Sequence, residues 1–322
     1  MTEQQIQKVK VERLAHIGLW TTDVAAQARF YRQVMGFDLL AAEPGTSGQE
    51  LEFANANVFL SLGDDGPCLV LFNDTRPGTN NMRVLTPRTR LHHMAFEVGT
   101  NAELAAFAAR LKQSDVELTL GERDNYGEMG DTLWFNDPDG NRIGISVAPD
   151  DTLTPLPATS RGRRTLQHPR RLQHLALQTA RLEAMVEFYT EALGFDISDW
   201  LLRECVWLRC NDDHHTIMLI KGNQDVDHIG YSIAPGPEVL AWADYLAHEQ
   251  TPILWGPGRH GAGNDLFLRF ADAEGAHIEL SSELQQYHDR EATTPPRLWH
   301  SRPGALNLWG VMPAWVRDEV RV

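Results

Sequence analysis

Two histidines and one glutamate in the second half of the chain have the types and positions of metal ligands. His174 and His228 each lie near the start of a predicted strand that opens a repeated unit, and Glu279 lies on the last predicted strand of the unit that His228 opens. A single histidine among the 13 of this chain is more often a surface or core residue, so the repeated position is what favours a ligand role.

A metal ion held by these three ligands would keep coordination positions open for other molecules. Two imidazoles and one carboxylate on one face leave about three positions of a six-coordinate ion open, as Fe(II) oxygenases require for substrate and dioxygen. The same ligands also bind zinc or manganese, so the residue types do not select the metal. The sequence therefore predicts one divalent metal site per chain.

Internal repeats define the elements that must position these ligands. RLAHIGLWTTDVAAQARFYRQVMGFD aligns without gaps with RLQHLALQTARLEAMVEFYTEALGFD at an offset of 171 − 13 = 158. HMAFEV aligns with HIGYSI at an offset of 228 − 93 = 135. In the first half, the counterparts of the three ligands are His16, His93 and Gly144, so the carboxylate is missing. We expect that first site to be empty.

Each repeated unit has the pattern of a strand, an amphipathic helix that ends near Gly-Phe, and further short strands. Four βαβββ units, two in each half, predict an α+β fold with two domains. We expect an N-terminal domain over 1–148, a linker over 149–169 and a catalytic domain over 170–284. The tail over 285–322 contains three tryptophans and should fold over the active site.

Composition excludes several classes of function. The net charge of −15 disfavours binding to nucleic acid or to an anionic membrane, and no apolar run has the length of a membrane-spanning helix. The N-terminal residues lack the pattern of a secretion signal. Three cysteines without a CxxC pair argue against disulfides and against a thiolate site. We expect a cytoplasmic enzyme without nucleic-acid or membrane partners.

Two motifs carry a family resemblance. GPGRHGAGNDLFLRFADAEGAHIEL resembles a signature in which a GRH triplet precedes a metal-binding glutamate by nineteen residues, and here 279 − 260 = 19. WLRCNDDHHTIML resembles a double-histidine strand. The chain thus resembles the type I extradiol dioxygenases (catechol 2,3-dioxygenase-like) of the vicinal oxygen chelate superfamily, which have the glyoxalase fold.

The resemblance implies residue roles. The metal ligands would be His174, His228 and Glu279, holding Fe(II), with Mn(II) as an alternative. His215 would be the catalytic acid/base, although His214 remains open, and His260 would donate a second-sphere hydrogen bond. The substrates would be a small aromatic diol, with its two hydroxyls on the metal, and O2; we also expect a homo-oligomer.

One position departs from the family pattern. A Tyr commonly lies nine residues after the GRH histidine, and 260 + 9 is Arg269. A guanidinium has no removable proton at neutral pH, but it can bind a carboxylate or a phenolate. We therefore assign Arg269 to substrate binding, together with Asn264. Three tryptophans are also candidates for contact with the substrate ring, although a role in core packing stays open for each: Trp207, Trp255 and Trp309.

Two other functions remain open. A metal-dependent isomerase or hydrolase of the glyoxalase type would use the same scaffold and ligands. A non-catalytic small-molecule-binding protein of this fold could dispense with a complete ligand set, whereas all three ligand positions are filled here.

Overall fold

The computed structural model describes residues 9–43, 57–63, 66–74, 90–114, 116–122, 131–148, 167–289 and 294–318. The predicted linker over 149–169 falls outside these residues except for 167–169, and residues 1–8 lie outside them as well. Among the described helices, none is long and apolar enough to cross a membrane.

The first half forms an eight-stranded sheet of order β2-β3-β4-β1-β5-β8-β7-β6. Its first unit comprises β1 (Arg13–Thr21), α1 (Val24–Gln33), β2 (Asp38–Glu43), β3 (Asn57–Ser61) and β4 (Leu69–Asn73). Its second unit comprises β5 (Leu91–Val98), α2 (Asn101–Gln113), β6 (Thr119–Glu122), β7 (Asp131–Asn136) and β8 (Arg142–Val147).

The second half forms a nine-stranded sheet of order β14-β15-β16-β13-β9-β12-β11-β10-β17. The third unit comprises β9 (Arg171–Thr179), α3 (Leu182–Glu187) with a π-helical turn (Phe188–Ala192), β10 (Asp196–Leu201), β11 (Cys205–Arg209) and β12 (Ile217–Lys221). The fourth comprises β13 (Asp225–Ser232), α4 (Glu238–His248), β14 (Ile253–Arg259), β15 (Leu266–Ala271) and β16 (His277–Ser282). The predicted α+β fold of four βαβββ units is confirmed.

Local sequence explains why these units form. The side chain of Asp23 accepts a hydrogen bond from the Ala26 N–H and caps the start of α1. Gly36 and Gly194, at equivalent repeat positions, follow α1 and the π-helical turn with φ of 73° and 77°, which glycine adopts without strain. Leu175 and Leu177 of β9 face the main core, as the alternation in the sequence predicts.

The two halves contact each other through equivalent side chains. The Tyr31 hydroxyl lies 3.4 Å from Asp272 of the other half, and the Tyr189 hydroxyl lies 3.4 Å from Asp137. The repeat offsets relate these pairs, since 31 + 158 = 189 and 137 + 135 = 272. Each aspartate begins the turn between the last two strands of a βαβββ unit, so this turn of each half packs on the first helix of the other half.

Glu274, in the second of these turns, joins the halves at the start of α1. Its Oε1 atom accepts hydrogen bonds from Thr21 Oγ1 at 2.7 Å, from Thr22 N at 2.8 Å and from Asp23 N at 2.9 Å. A carboxylate at a helix N-terminus binds otherwise unpaired N–H groups and complements the helix dipole.

The described part of the tail packs on the second sheet. It contains β17 (Arg297–Trp299), α5 (Arg302–Leu306) and α6 (Ala314–Asp318). β17 pairs in parallel with β10, and the Ala305 carbonyl accepts hydrogen bonds from the N–H groups of Gly261 and Ala262. The tail therefore lies on the same half as the predicted catalytic residues.

The contact made by Glu274 leads to a stability prediction. Glu274→Ala removes a charged acceptor from several N–H and O–H donors at once, so we expect the free energy of unfolding to fall by about 1–3 kcal/mol. The measurement is urea denaturation followed by circular dichroism. Glu249→Ala, at an exposed glutamate that follows the last residue of α4, is the control and should change stability by less than about 0.5 kcal/mol. Equal effects of the two substitutions would contradict this prediction.

Candidate metal centre

Three buried side chains on adjacent strands of the second sheet converge. His174 on β9, His228 on β13 and Glu279 on β16 present ligand atoms within 4.8 Å of one another. The Nε2 atoms of His174 and His228 lie 3.2 Å apart, and Glu279 Oε1 lies 3.4 Å from His174 Nε2. The structure thus brings together all three residues that the sequence singles out as ligands.

Strand register explains this convergence. Gly230 on β13 lies opposite His174 on one side and opposite Glu279 on the other. A Cβ atom at Gly230 would collide with the His174 ring, so the missing side chain leaves the space that the imidazole occupies. A glycine between two ligands therefore permits their approach.

Two bulge residues orient the ligand histidines. Gln173 and Asp227 each fall at a register shift of the β9–β13 pair, where a bulge can re-aim a side chain. His174 Nδ1 lies 3.3 Å from Gln173 Oε1, and His228 Nδ1 contacts Asp227 Oδ1. Because both Nδ1 atoms face an acceptor, each histidine directs its Nε2 lone pair toward the centre, the usual arrangement of carboxylate- or amide-supported ligands. His228 Nε2 lies 3.3 Å from Arg269 Nη2, a contact that a bound metal would replace.

The donor set fits a divalent ion. Protein N and O ligands bind such ions at about 2.0–2.2 Å, which separates two ligand atoms on one ion by about 3–4 Å. Burial and the charge of Arg269 lower the pKa of His228 to about 4, so its lone pair is available at neutral pH. Burial raises the pKa of Glu279, but Arg269 and the neighbouring histidines hold it well below its usual range, so the carboxylate is ionised.

The equivalent position in the first half lacks the carboxylate ligand. His16 and His93 are buried there, but Gly144 replaces the carboxylate. A Cβ atom at Gly144 would lie 2.7 Å from the ring of Trp134, which also meets the His93 ring edge-on at 5.4 Å. The Trp134 indole therefore occupies the space of the missing ligand.

Arg269 is the counterpart of Trp134, since 134 + 135 = 269. It lies opposite Glu279 in the β15–β16 pair, and its Nε donates to Glu279 Oε2 at 2.5 Å. Its Nη1 atom lies 3.3 Å from Asp227 Oδ1, and its guanidinium lies 5.0 Å from the Trp255 ring. The departure from the family pattern thus places a cation directly against a predicted metal ligand.

The two adjacent histidines occupy different places. The His215 ring lies 4.4 Å from that of His174, whereas His214 lies behind it with its Nε2 atom 3.1 Å from Asp199 Oδ2. Burial lowers the pKa of His215 well below its ordinary value, with His174 as the next cause. His215 is therefore neutral and faces the ligands, which favours it over His214 as the acid/base.

His260 lies on the Glu279 side of the centre. Its Nδ1 atom is 2.6 Å from the Leu306 carbonyl, and its Nε2 atom is 3.4 Å from Glu279 Oε2. Burial lowers the pKa of His260, but the charges of Asp265 and Glu279 outweigh this effect and raise it. His260 can therefore donate to both the tail carbonyl and the predicted metal ligand.

The other predicted substrate contacts divide into two groups. Trp207 and Trp255 are buried and pack in apolar clusters, and the Trp207 ring lies 6.3 Å from that of His214. Asn264 is exposed in a loop, and Trp309 is 61% exposed against Arg259. Their roles in substrate binding stay predictions.

Sequence reasoning missed Gln173, Asp227 and Asp199. The first two directly precede a ligand histidine, so an acceptor-His dipeptide at both repeat positions was an available signal. Asp199 had no such signal, because its contact with His214 depends on the packing of β10.

The profile of the Glyoxalase/Bleomycin resistance protein/Dioxygenase superfamily matches residues 13–145 and 171–280. Metapyrocatechase 2 from Cupriavidus necator is 29% identical over 219 residues, which cover 61% of this chain and 65% of that protein. An iron-dependent extradiol dioxygenase from Rhodococcus jostii (strain RHA1) is 23% identical, with 94% of this chain and 97% of that protein covered. A Mn(II)-bound glyoxalase from Novosphingobium aromaticivorans has a TM-score of 0.74 at 23% identity, with 94% and 91% coverage.

Fold and matched residues together define a class of proteins built from βαβββ units. The chain belongs to the Glyoxalase/Bleomycin resistance protein/Dioxygenase superfamily. The resemblance to extradiol dioxygenases inferred from the sequence motifs is confirmed by these relatives.

Equivalent substitutions in the two halves test the metal site. His228→Ala should weaken metal binding by at least about 100-fold, because it removes a ligand rather than a supporting group. His93→Ala, at the equivalent position of the first half, should still bind one ion per chain. The measurement is equilibrium dialysis against Mn(II) with metal analysis, and circular dichroism checks that both variants fold. Metal loss in His93→Ala, or retention in His228→Ala, would refute the assignment.

Proposed function

We propose that this protein is an extradiol dioxygenase that opens the ring of a catecholic substrate with O2, at one divalent ion held by His174, His228 and Glu279. The observation that carries the proposal is the convergence of three buried ligand atoms on one sheet face with a neutral imidazole beside them. Similarity to two relatives, a metapyrocatechase and an extradiol dioxygenase, supports the same reaction.

The bound ion would lower the pKa values of the two substrate hydroxyls and hold the diol beside dioxygen. Within this site His215 is the candidate base, since a neutral imidazole can accept a substrate proton and later return it. His260 and Arg269 both donate to Glu279 Oε2 and fix the orientation of this carboxylate. The iron-dependent relative supports Fe(II), while the ligand chemistry leaves Mn(II) as the alternative.

Arg269 also bears on the choice of substrate. Its guanidinium is buried among Glu279, Asp227 and the Trp255 ring. A cation at this position favours a substrate oxygen that carries negative charge, such as the ionised hydroxyl of a diol. We propose that Arg269 orients Glu279 and contributes this positive field.

We also propose where the enzyme works in the cell and how it assembles. All three cysteines are buried free thiols, which supports function in a reducing cytoplasm. Assembly into a homo-oligomer remains a prediction. A glyoxalase-type isomerase or hydrolase would use the same metal ligands but would not consume O2.

Oxygen consumption tests the reaction. The Fe(II)-loaded protein, prepared anaerobically, should take up O2 on addition of a catechol and form a yellow ring-opened product. Glu279→Ala should abolish uptake, because the variant lacks a ligand and leaves Arg269 without one of its two carboxylate partners. An oxygen electrode and visible absorbance follow the two signals with a panel of substituted catechols. No uptake across the panel, or uptake that survives Glu279→Ala, would overturn the proposal.

A further inference from the structure

A line of buried polar groups connects His215 to the tail. His215 Nδ1 lies 3.1 Å from His214 Nδ1, and His214 Nε2 lies 3.1 Å from Asp199 Oδ2. All three side chains are at least 96% buried. Asp199 lies on β10, so the line starts beside the predicted metal ligands and ends at the edge where β17 joins the sheet.

Tail residues hold the Asp199 carboxylate. Arg297 donates from Nε to Oδ1 at 2.7 Å and from Nη2 to Oδ2 at 2.9 Å, and Trp299 Nε1 donates to Oδ2 at 2.8 Å. Burial raises the pKa of Asp199, but His214 and these two donors outweigh it and lower the value. The carboxylate is therefore ionised and fixed in orientation.

An ionised carboxylate determines the proton position on His214. The contact of 3.1 Å between His214 Nε2 and Asp199 Oδ2 is an electrostatic contact rather than an aligned hydrogen bond. A negative charge this close favours an N–H at Nε2 over a lone pair there, because the carboxylate attracts the proton and repels the lone pair. Burial lowers the pKa of His214 despite the charge of Asp199, so the ring carries one proton only. That proton lies on Nε2, and His214 Nδ1 is consequently an acceptor.

The tautomer of His214 determines that of His215. Because His214 Nδ1 is an acceptor, the His215 Nδ1 atom 3.1 Å away must be the donor. With its proton on Nδ1, the His215 ring has its lone pair on Nε2. This is the atom that remains for a substrate hydroxyl.

We propose that Asp199 and His214 are positioning residues that fix His215 in the Nδ1–H tautomer, so that Nε2 serves as the base. This inference rests on the proposed function, because it assigns the proton-accepting atom of that reaction. Because Arg297 and Trp299 orient Asp199, the tail also helps to position His215.

The first half supports this assignment by contrast. The register of β2 and β3 places Ala41 opposite Phe59, as β10 and β11 place Asp199 opposite Trp207. Ala41 is therefore the counterpart of Asp199, since 199 − 158 = 41. The half without the metal carboxylate also lacks this supporting carboxylate.

Nuclear magnetic resonance can observe the tautomer directly. In Zn(II)-loaded protein labelled with 15N-histidine, long-range 1H–15N correlations should show His215 protonated at Nδ1 and His214 at Nε2. In Asp199→Asn, the amide can donate to His214 Nε2 and reverse both rings, so His215 should become protonated at Nε2. Asp213→Asn is the control: Asp213 is a buried carboxylate next to His214 that pairs with Arg171, and its substitution should leave the tautomer unchanged.

Kinetics of the Fe(II)-loaded protein provide the second readout. Asp199→Asn should lower kcat by about 10²–10⁴-fold with little change in KM, because the base presents the wrong nitrogen. Arg297→Gln, whose native side chain is 42% exposed and so tolerates replacement, should lower kcat by about 10-fold.

Wild-type His215 protonated at Nε2, or an unchanged tautomer in Asp199→Asn, would overturn the inference, as would a rise in KM at constant kcat. The tautomer measurement needs no turnover. A wild-type protein that consumes no O2 would therefore refute the proposed reaction, while the resonance data alone would decide the positioning of His215.

Discussion

Charge compensation within one buried sheet face is the constraint on which the rest of the site depends. Glu279 and Asp227 are ionised at less than a tenth of full exposure, and an unpaired buried charge would cost several kcal/mol. Arg269 contacts both carboxylates, and His228 lies against Asp227. Arg269 of β15 thus partners ionised groups on two other strands of the sheet, β16 and β13, so the ligands are already oriented by the fold.

The repeated architecture shows how little has to change to remove such a site. Both sheets carry histidines at equivalent positions on their central antiparallel pair, and both pairs contain register shifts. The first half has Gly144 and Trp134 where the second has Glu279 and Arg269. In the first half the Trp134 ring packs over Gly144, where the second half has the ion pair of Arg269 and Glu279. The first half therefore has no buried charge to compensate at this position and lacks the carboxylate ligand.

The tail adds what the repeats do not contain. Its carbonyl at Leu306 accepts from His260, and its Arg297 and Trp299 hold Asp199. His260 and Asp199 are therefore both supported by one segment, which follows the last repeated unit. This arrangement makes the orientation of His260 and His214 depend on the docking of the tail.

The sequence by itself determined the four βαβββ units, because strand alternation, helix periodicity and the two constant offsets are local or internal signals. It also singled out His174, His228 and Glu279, which the structure brings together. The roles of Gln173 and Asp227 were decided only by the tertiary structure, because a bulge depends on the pairing of strands whose ligands are 54 residues apart. The separation of His214 from His215 had the same cause: adjacent residues acquire different partners only when Asp199 and the tail pack behind one of them.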